Sequence, residues 1–567
     1  MMILEFRLQG KDTVYKRIEK VDYIIGSGQH TNSHIQNVNG YLNQMPMTYY
    51  TQTQKWDLPP GFEQGFNTRF SRKIGLECMS CHNAFPDHVK GSENKYNALP
   101  EGINCERCHG PGSIHVQQRS TGSVVDTSRY IDYSIVNPGK LPIDRQFDVC
   151  QRCHLQGNTV LKEGKSFYDF KPGMVLSDYM STFLPRYKNR DDEFIMASHA
   201  DRLKQSKCFI STTGKISAEG KGAEGLRPYK NALTCVTCHD PHVSVEVTGT
   251  AIFNAACNNC HQPKRTNVLC SEKPSVRKLK QDNCVSCHMP KSGSTDIPHV
   301  TVHDHYIRKP VKKAKIEKIM EFIALESVNE PNPDRRTKAK AYLQQYDKFE
   351  YNPIFLDSAS QLLSSSTKED LQKNLELLVH LEFIRGDYNK ITSYIAALGK
   401  DHVIKELLNS TSHDNAHAWT LYRIGESYYN TGDVNSAYAC YHKAQQLSPF
   451  NPEFKNKLGV ALMAQNKVKD AIPVLEGTVK ENPRFVQALN NLGYAYLLDG
   501  RPERAQYVYN KALALDPDYI PLLMNVAGLY AYQQNYKSAE IYLKKVLAKD
   551  PKNVQAKAVL VQLKPYL

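Results

Sequence analysis

Twelve of the fifteen cysteines fall in pairs separated by two residues, and a histidine follows each pair directly. The motifs are Cys78-Met-Ser-Cys81-His82, Cys105-Glu-Arg-Cys108-His109 and Cys150-Gln-Arg-Cys153-His154, then Cys235-Val-Thr-Cys238-His239, Cys257-Asn-Asn-Cys260-His261 and Cys284-Val-Ser-Cys287-His288. Cysteine pairs at this spacing can serve zinc knuckles or covalent haem, and the neighbouring histidine separates the two uses. A zinc site joins two such pairs and needs no histidine beside each one. Covalent haem needs all three residues: two thiols add to the vinyl groups, and the next imidazole is carried under the ring to bind iron. Chance gives roughly 0.01 such matches in a chain of this length, so six are not accidental. The cofactor expectation is therefore six haem c groups, with His82, His109, His154, His239, His261 and His288 as proximal ligands.

An iron that only relays electrons is closed by a second strong ligand. Nine further histidines lie in residues 1–310: His30, His34, His88, His115, His199, His242, His299, His303 and His305. Nine candidates for six irons suffice for bis-histidine ligation throughout, which implies low potentials. Any one of them could equally be a surface or hydrogen-bonded residue. His115 follows the turn Gly110-Pro111-Gly112-Ser113, and His242 sits too near His239 to cap the same iron, so it would serve a neighbour. His299 and His305 frame an extended stretch after Cys287-His288-Met289-Pro290, and His199 and His34 complete the preferred set. His88 and His303 rank below them. No methionine has a comparable setting. The three remaining cysteines are Cys208, Cys270 and Cys440, read as small buried side chains or, for Cys208 with Cys270, a disulfide.

The elements that must hold these groups divide the chain in two. Residues 60–300 are rich in Gly, Pro, Ser and Asn without long amphipathic periods, so short helices and loops wrapped round porphyrins are expected. Residues 1–60, with segments such as Val21–Ile25 and Met47–Thr51, read as a strand-containing cap. From about 418 the sequence repeats every 34 residues: Gly425, Gly459 and Gly493 share one phase with Ala527, Ala437, Ala471, Ala505 and Ala539 another, and Pro449, Pro483, Pro517 and Pro551 a third. That is the tetratricopeptide period. Residues 555–567 read as a capping helix. The expected fold is mainly α: a haem domain over 1–310, a helical linker with degenerate repeats over 311–417, and a helical solenoid over 418–567. In the linker, the helical pattern of 335–410 includes Leu375 to Leu398 around Gly386-Asp387-Tyr388, and Lys309, Lys312, Lys313, Lys315 and Lys318 read as a solvated face or an anion patch.

The apoprotein carries a formal charge of +14, spread as 37 Lys and Arg against 29 Asp and Glu in residues 1–300 and 35 against 29 beyond. Six haems with their propionates would lower this to roughly +8 oxidised and +2 reduced. A dispersed excess around anionic cofactors argues against nucleic acid, where basic residues cluster. No run of eighteen apolar residues occurs, so no membrane span is expected.

Residues 105–116 (Cys-x-x-Cys-His-Gly-Pro-Gly-Ser-Ile-His-Val), 235–242 (Cys-Val-Thr-Cys-His-Asp-Pro-His) and 284–290 (Cys-Val-Ser-Cys-His-Met-Pro) resemble the multihaem family of cytochrome c-554 and its tetratricopeptide-fused relatives. They are similar also to the wider group with hydroxylamine oxidoreductase and the pentahaem nitrite reductases. The resemblance covers about residues 20–310 and implies His115, His242 and His299 as distal ligands. Two departures stand out. The opening Met-Met-Ile-Leu-Glu-Phe-Arg is charged and strand-like rather than a signal peptide, which points to a truncated or misassigned start and a lost attachment motif. No Cys-x-x-Cys-Lys occurs, so the lysine-ligated catalytic haem of the nitrite reductases is not expected. The favoured expectation is electron transfer between redox partners in the periplasm or outside the cell, compartments where haem is attached. The repeats would dock a partner or another copy, or pack on the haem domain. The alternatives are a reductase or oxidase of small nitrogen or sulfur compounds at one open iron, or a haem-wired filament subunit.

Overall fold

The computed structural model describes residues 1–62, 67–127, 129–155, 157–188, 195–218, 233–261, 270–310, 321–364, 367–408 and 413–567. The chain opens with a hairpin, Met2–Gln9 against Asp12–Lys20, followed by an antiparallel sheet of Tyr23–Ile25, Thr31–Val38, Tyr41–Tyr50 and Lys55–Asp57. Arg72–Lys73 joins this sheet on Tyr41–Tyr50. Asn39-Gly40 turns the chain between the two long strands with φ of 53° and 89°. Both residues of such a tight hairpin turn need positive φ, which is why Asn-Gly suits it. Ile35 and Leu42 meet Ile74, Met79 and Tyr96 in a small core that ties the sheet to the first haem-type motif.

The described residues between 76 and 310 form short helices, short strands and loops. Most described helices here run four to fourteen residues, and those at Val245–Asn258, Pro274–Leu279 and Cys284–His288 bury no residue at all. Segment 311–417, expected as helical, begins differently. Phe322–Ser327 is a strand paired antiparallel with Met180–Tyr187, which also pairs with Asn158–Leu161. Val160, Phe183 and Leu325 pack there against Ala341 of the helix Arg335–Lys348, so the linker is stitched into the middle of the chain. Lys312, Lys313, Lys315 and Lys318 lie outside the described residues. Further on, Lys368–Arg385 and Tyr388–Leu398 form a helical pair whose turn is made by Gly386 at φ 72°.

The repeats follow as helix pairs: Asn415–Asn430 with Val434–Leu447, Pro452–Ala464 with Val468–Glu481, Val486–Leu498 with Pro502–Leu515, and Ile520–Tyr532 with Tyr536–Lys549. Val554–Leu563 covers the end. The periodic small residues sit at the closest approach. A Cβ added at Gly425 would lie 2.8 Å from the Tyr441 ring, at Gly459 2.7 Å from Leu475, and at Gly493 against the Tyr509 ring. Ala437, Ala471, Ala505 and Ala539 are fully buried opposite. Overpacking such a contact costs about 1–3 kcal/mol. Gly493→Val is expected to lower the unfolding free energy, read from urea titration of the helical circular dichroism, by that amount. A change below about 0.5 kcal/mol, the size of an ordinary surface substitution, would mean the pair is not held at contact distance.

The N-terminal sheet lies along the edge of this array formed by the turns between repeats. Ser448 Oγ and Phe450 N–H both donate to the Gly91 carbonyl at 3.0 and 2.9 Å. The next turn brings Glu481 to Tyr41 (2.7 Å) and Lys95 (3.0 Å), and Arg484 to Glu19 (2.9 Å). At the third, Arg17 donates to the Leu515 carbonyl at 2.9 Å and Arg69 pairs with Asp516 at 2.9 Å. The 34-residue period that builds the solenoid thus also spaces the docking points for the sheet. Gly91, at φ 74°, is held there with no room for a side chain: a Cβ would meet Pro449 at 2.7 Å.

Candidate functional site: histidines facing the Cys-x-x-Cys-His motifs

Helices place the motif residues. Leu76–His82, Glu106–His109, Ile143–His154 and Cys284–His288 each end on the motif histidine. The other two motifs also close one turn, with His239 N–H and His261 N–H bonded to the carbonyls of Cys235 and Cys257 at 3.0 Å. One helical turn puts residues i, i+3 and i+4 on one face, so both thiols and the imidazole leave the backbone together.

Several of the motifs lie close to one another. Cys81 Sγ lies 3.8 Å from the Arg152 carbonyl, and Cys153 Sγ lies 3.9 Å from that of Ser80. Cys150 neighbours Cys235, and Cys257 neighbours Cys284, with no disulfide between them. Cys108 lies within electrostatic reach of Cys150, and Cys238 of Cys260. The motif at 150–154 is thus the junction, meeting those at 78–82, 105–109 and 235–239. None of the fifteen cysteines is in a disulfide: Cys208 and Cys270, considered as a pair, are unbonded to each other, and Cys440 is buried in the repeat core.

Three motif histidines have a second imidazole across a short gap. His109 and His242 stand 5.9 Å apart between ring centroids with planes at 18°, and His239 and His305 6.2 Å apart at 23°. His154 and His199 are 5.6 Å apart at 85°. His199 and His305 touch edge to face at 4.6 Å. Burial first, then the neighbouring His305, His154 and His239, hold the His199 pKa down at about 3; burial, outweighing the His303 carbonyl, holds His305 at about 4. Both rings are therefore neutral at pH 7 and keep a lone pair for a metal.

Hydrogen bonds fix which nitrogen is available. Nδ1 of His34, His109, His288, His303 and His305 faces a backbone carbonyl (Met47, Val136, Arg308, Met289 and His303) at 2.6–3.0 Å. A carbonyl only accepts, so each ring carries its proton on Nδ1 and turns an unprotonated Nε2 outward. His242 does the same through Asp240, and His115 through Ser134, whose hydroxyl is in turn held by Asp132. His299 differs from these: its Nε2 is engaged by Asp57 at 2.9 Å, and its backbone is left-handed at φ 60°. His30 accepts from Gln52 on Nδ1, and His88 packs on Tyr96. The supporting acceptors escape sequence reasoning because Ser134 and Arg308 lie 19 and 20 residues from the rings they hold.

These surroundings fit haem. A cleft of about 640 Å³ is lined by Cys105, His109, His115, Val116 and Ile135. Around the motifs Ile114, Val116, Val247 and Ile252 are more than half exposed to solvent, an apolar covering left for a porphyrin face to complete. Among the described residues no three His, Cys, Asp or Glu side chains converge as a bare-ion site. Haem iron needs only two axial ligands from protein, which the imidazole pairs would provide.

Comparison with known proteins agrees with this geometry. Residues 51–110 match the family of cytochrome c554 and c-prime, and residues 422–477, 456–520 and 496–563 match tetratricopeptide repeats. The dissimilatory sulfite reductase MccA of Wolinella succinogenes is 22% identical over 215 residues, 35% of this chain and 23% of that protein. The match thus spans less than a quarter of that relative. Among solved structures, MamA from Desulfovibrio magneticus RS-1 is 23% identical over 34% of this chain and 99% of its own, with a TM-score of 0.26. A thermophilic tetratricopeptide protein of Thermus thermophilus, TTC0263, is 20% identical over 35% and 98%, with a TM-score of 0.28. No described helix is long and apolar enough to cross a membrane. The chain thus joins a segment similar to the cytochrome c554 family, followed by further Cys-x-x-Cys-His motifs, to an array of tetratricopeptide repeats.

Proposed function

We propose that this chain is an electron-transfer protein that holds six haems c and relays electrons between redox partners outside the cytoplasm. The observation that supports it best is the second imidazole, 5.6–6.2 Å from the motif ring, at His109, His154 and His239. An imidazole nitrogen binds a metal at about 2 Å; the ring centre lies roughly 1 Å further out, so two rings on one iron are about 6 Å apart. His242, His199 and His305 are accordingly assigned as distal ligands opposite those motifs, with His34, His115 and His303 as candidates for the others. Bound haem supplies reversible one-electron storage at potentials lowered by imidazole ligation. The protein's part is to tether each haem edge through two cysteines, to orient imidazoles such as those of His109, His242, His288 and His305 through Nδ1, and to set the motifs close together. Haem is attached outside the cytoplasmic membrane, which gives the periplasm or cell exterior as the location. The inter-repeat edge already binds the chain's own sheet, so docking of a redox partner or second copy falls to the other faces of the array.

A second reading, reduction of a small sulfur or nitrogen oxyanion at one open iron, is favoured by the similarity to a sulfite reductase. Electron paramagnetic resonance of the oxidised protein separates the two. Only low-spin ferric signals, unmoved by sulfite, nitrite or hydroxylamine, are expected of the relay. A high-spin signal that shifts on adding any of them would replace it with the enzyme.

A further inference from the structure

One buried ion pair joins the two parts of the fold that carry His199 and His305. Arg202 lies one turn beyond His199 in the helix His199–Lys204, and Asp304 directly precedes His305. Arg202 Nε donates to Asp304 Oδ1 at 2.8 Å and Nη2 to Oδ2 at 2.6 Å, a two-pronged contact across 102 residues of sequence. The side chains are only 4% and 5% exposed. Asp304 Oδ1 also accepts from Tyr306 N–H at 2.9 Å, and the Asp304 N–H donates to the Pro290 carbonyl at 3.1 Å. Asp304 is thereby tied to the helix bearing His199, to the residue after His305, and to the chain leaving the motif at 284–288.

Burying two charges is expensive, and apolar residues of like size would often hold the fold as well. What a bidentate guanidinium–carboxylate contact adds is fixed geometry. Here that geometry sets the 4.6 Å edge-to-face contact of His199 with His305, each of which also faces a motif histidine.

We propose that Arg202 and Asp304 are positioning residues that hold His199 and His305 at the irons of the motifs ending in His154 and His239. The inference rests on the reading of those two histidines as distal ligands. Neither residue touches iron; each acts through the element it fixes.

The test uses the full haem-loaded chain. Asp304→Asn keeps the acceptor for Tyr306 but removes the charge, and the double variant Arg202→Leu with Asp304→Leu replaces the pair by apolar volume. Both are expected to retain covalently attached haem at the wild-type ratio, read from the alkaline pyridine spectrum. Both should gain high-spin ferric signal, up to two irons in six for the double variant, and free imidazole should return it to low-spin. Asp304→Glu should restore more of the low-spin signal than Asp304→Asn. A fully loaded double variant whose spectrum stays as low-spin as wild type overturns the positioning role. Retained high-spin signal after imidazole addition overturns it also, because the iron would then not have been opened by loss of a ligand. His199→Ala and His305→Ala run in parallel. If they open no iron, the ligand assignment itself has failed; if they open irons while the pair variants do not, only the positioning role falls.

Discussion

Replacing His242, His199 or His305 with alanine is expected to open one iron each, converting about a sixth of the ferric haem from low-spin to high-spin. Each of these rings stands 5.6–6.2 Å from a different motif histidine. The three differ in what else they support. His242 is largely exposed and its Nδ1 is held by Asp240, so its loss should leave the rest of the spectrum untouched. His199 and His305 touch each other, so removing either should also disturb the signal of the neighbouring iron. His299→Ala is the control. The family resemblance implies it as a ligand, yet its Nε2 is occupied by Asp57 and its ring packs on Tyr50. Its substitution is expected to leave every iron low-spin. A wholly low-spin spectrum in folded His199→Ala would break the pairing of His154 with His199, and a high-spin signal in His299→Ala would reinstate the ligand the resemblance implies.

What was legible in the sequence was local or periodic. Each Cys-x-x-Cys-His motif is chemistry contained within one helical turn, so spacing alone identified it. The repeats announced themselves because small residues at one phase, such as Gly425 and Gly459, meet Tyr441 and Leu475 at another within the same 34-residue unit. Which histidine meets which motif is a tertiary fact. His109 and His242 are brought together across 133 residues by loops with no periodic signal, and His303, ranked low from sequence, has its Nδ1 fixed on Met289 beside a motif. The strand Phe322–Ser327 was hidden for the same reason: its partner Met180–Tyr187 lies some 140 residues earlier. The choice between docking and internal packing for the repeats also turned on distant residues. Lys95, Tyr41 and Glu19 are unremarkable in the sequence and acquire meaning only opposite Glu481 and Arg484.

Glu481→Ala is expected to loosen the sheet from the repeats and to cost about 2–4 kcal/mol, the range for removing one partner from a largely buried charged network. Its carboxylate takes the Tyr41 hydroxyl at 2.7 Å, Lys95 at 3.0 Å and Lys455 at 2.6 Å. Without it, two ammonium groups lose an acceptor at once, in the middle of the three turns that hold the sheet, while the Tyr41 hydroxyl keeps the Phe450 carbonyl at 2.8 Å. Glu481→Leu combined with Lys95→Met should cost less than Glu481→Ala, because fewer charges are then left facing the gap. Burial pushes the Glu481 pKa up, but Lys455, Tyr41 and Lys95 together outweigh it and hold it below the ordinary 4.5. At the next turn Asp518 is likewise held below 3.8, by Arg7 and Lys549 against burial. A carboxylate whose folded pKa is depressed contributes stability in full above its unfolded pKa, and that stability is lost as pH falls through the folded value. The docked edge should therefore weaken below about pH 4.5. Urea titrations of the tyrosine near-ultraviolet signal at pH 7 and at stepwise lower pH read this directly. The wild type should lose more stability on acidification than Glu481→Gln, which has no proton to take up at that site. Equal slopes for the two, or a Glu481→Ala change below about 0.5 kcal/mol, would mean that the turn carrying Glu481 does not hold the sheet.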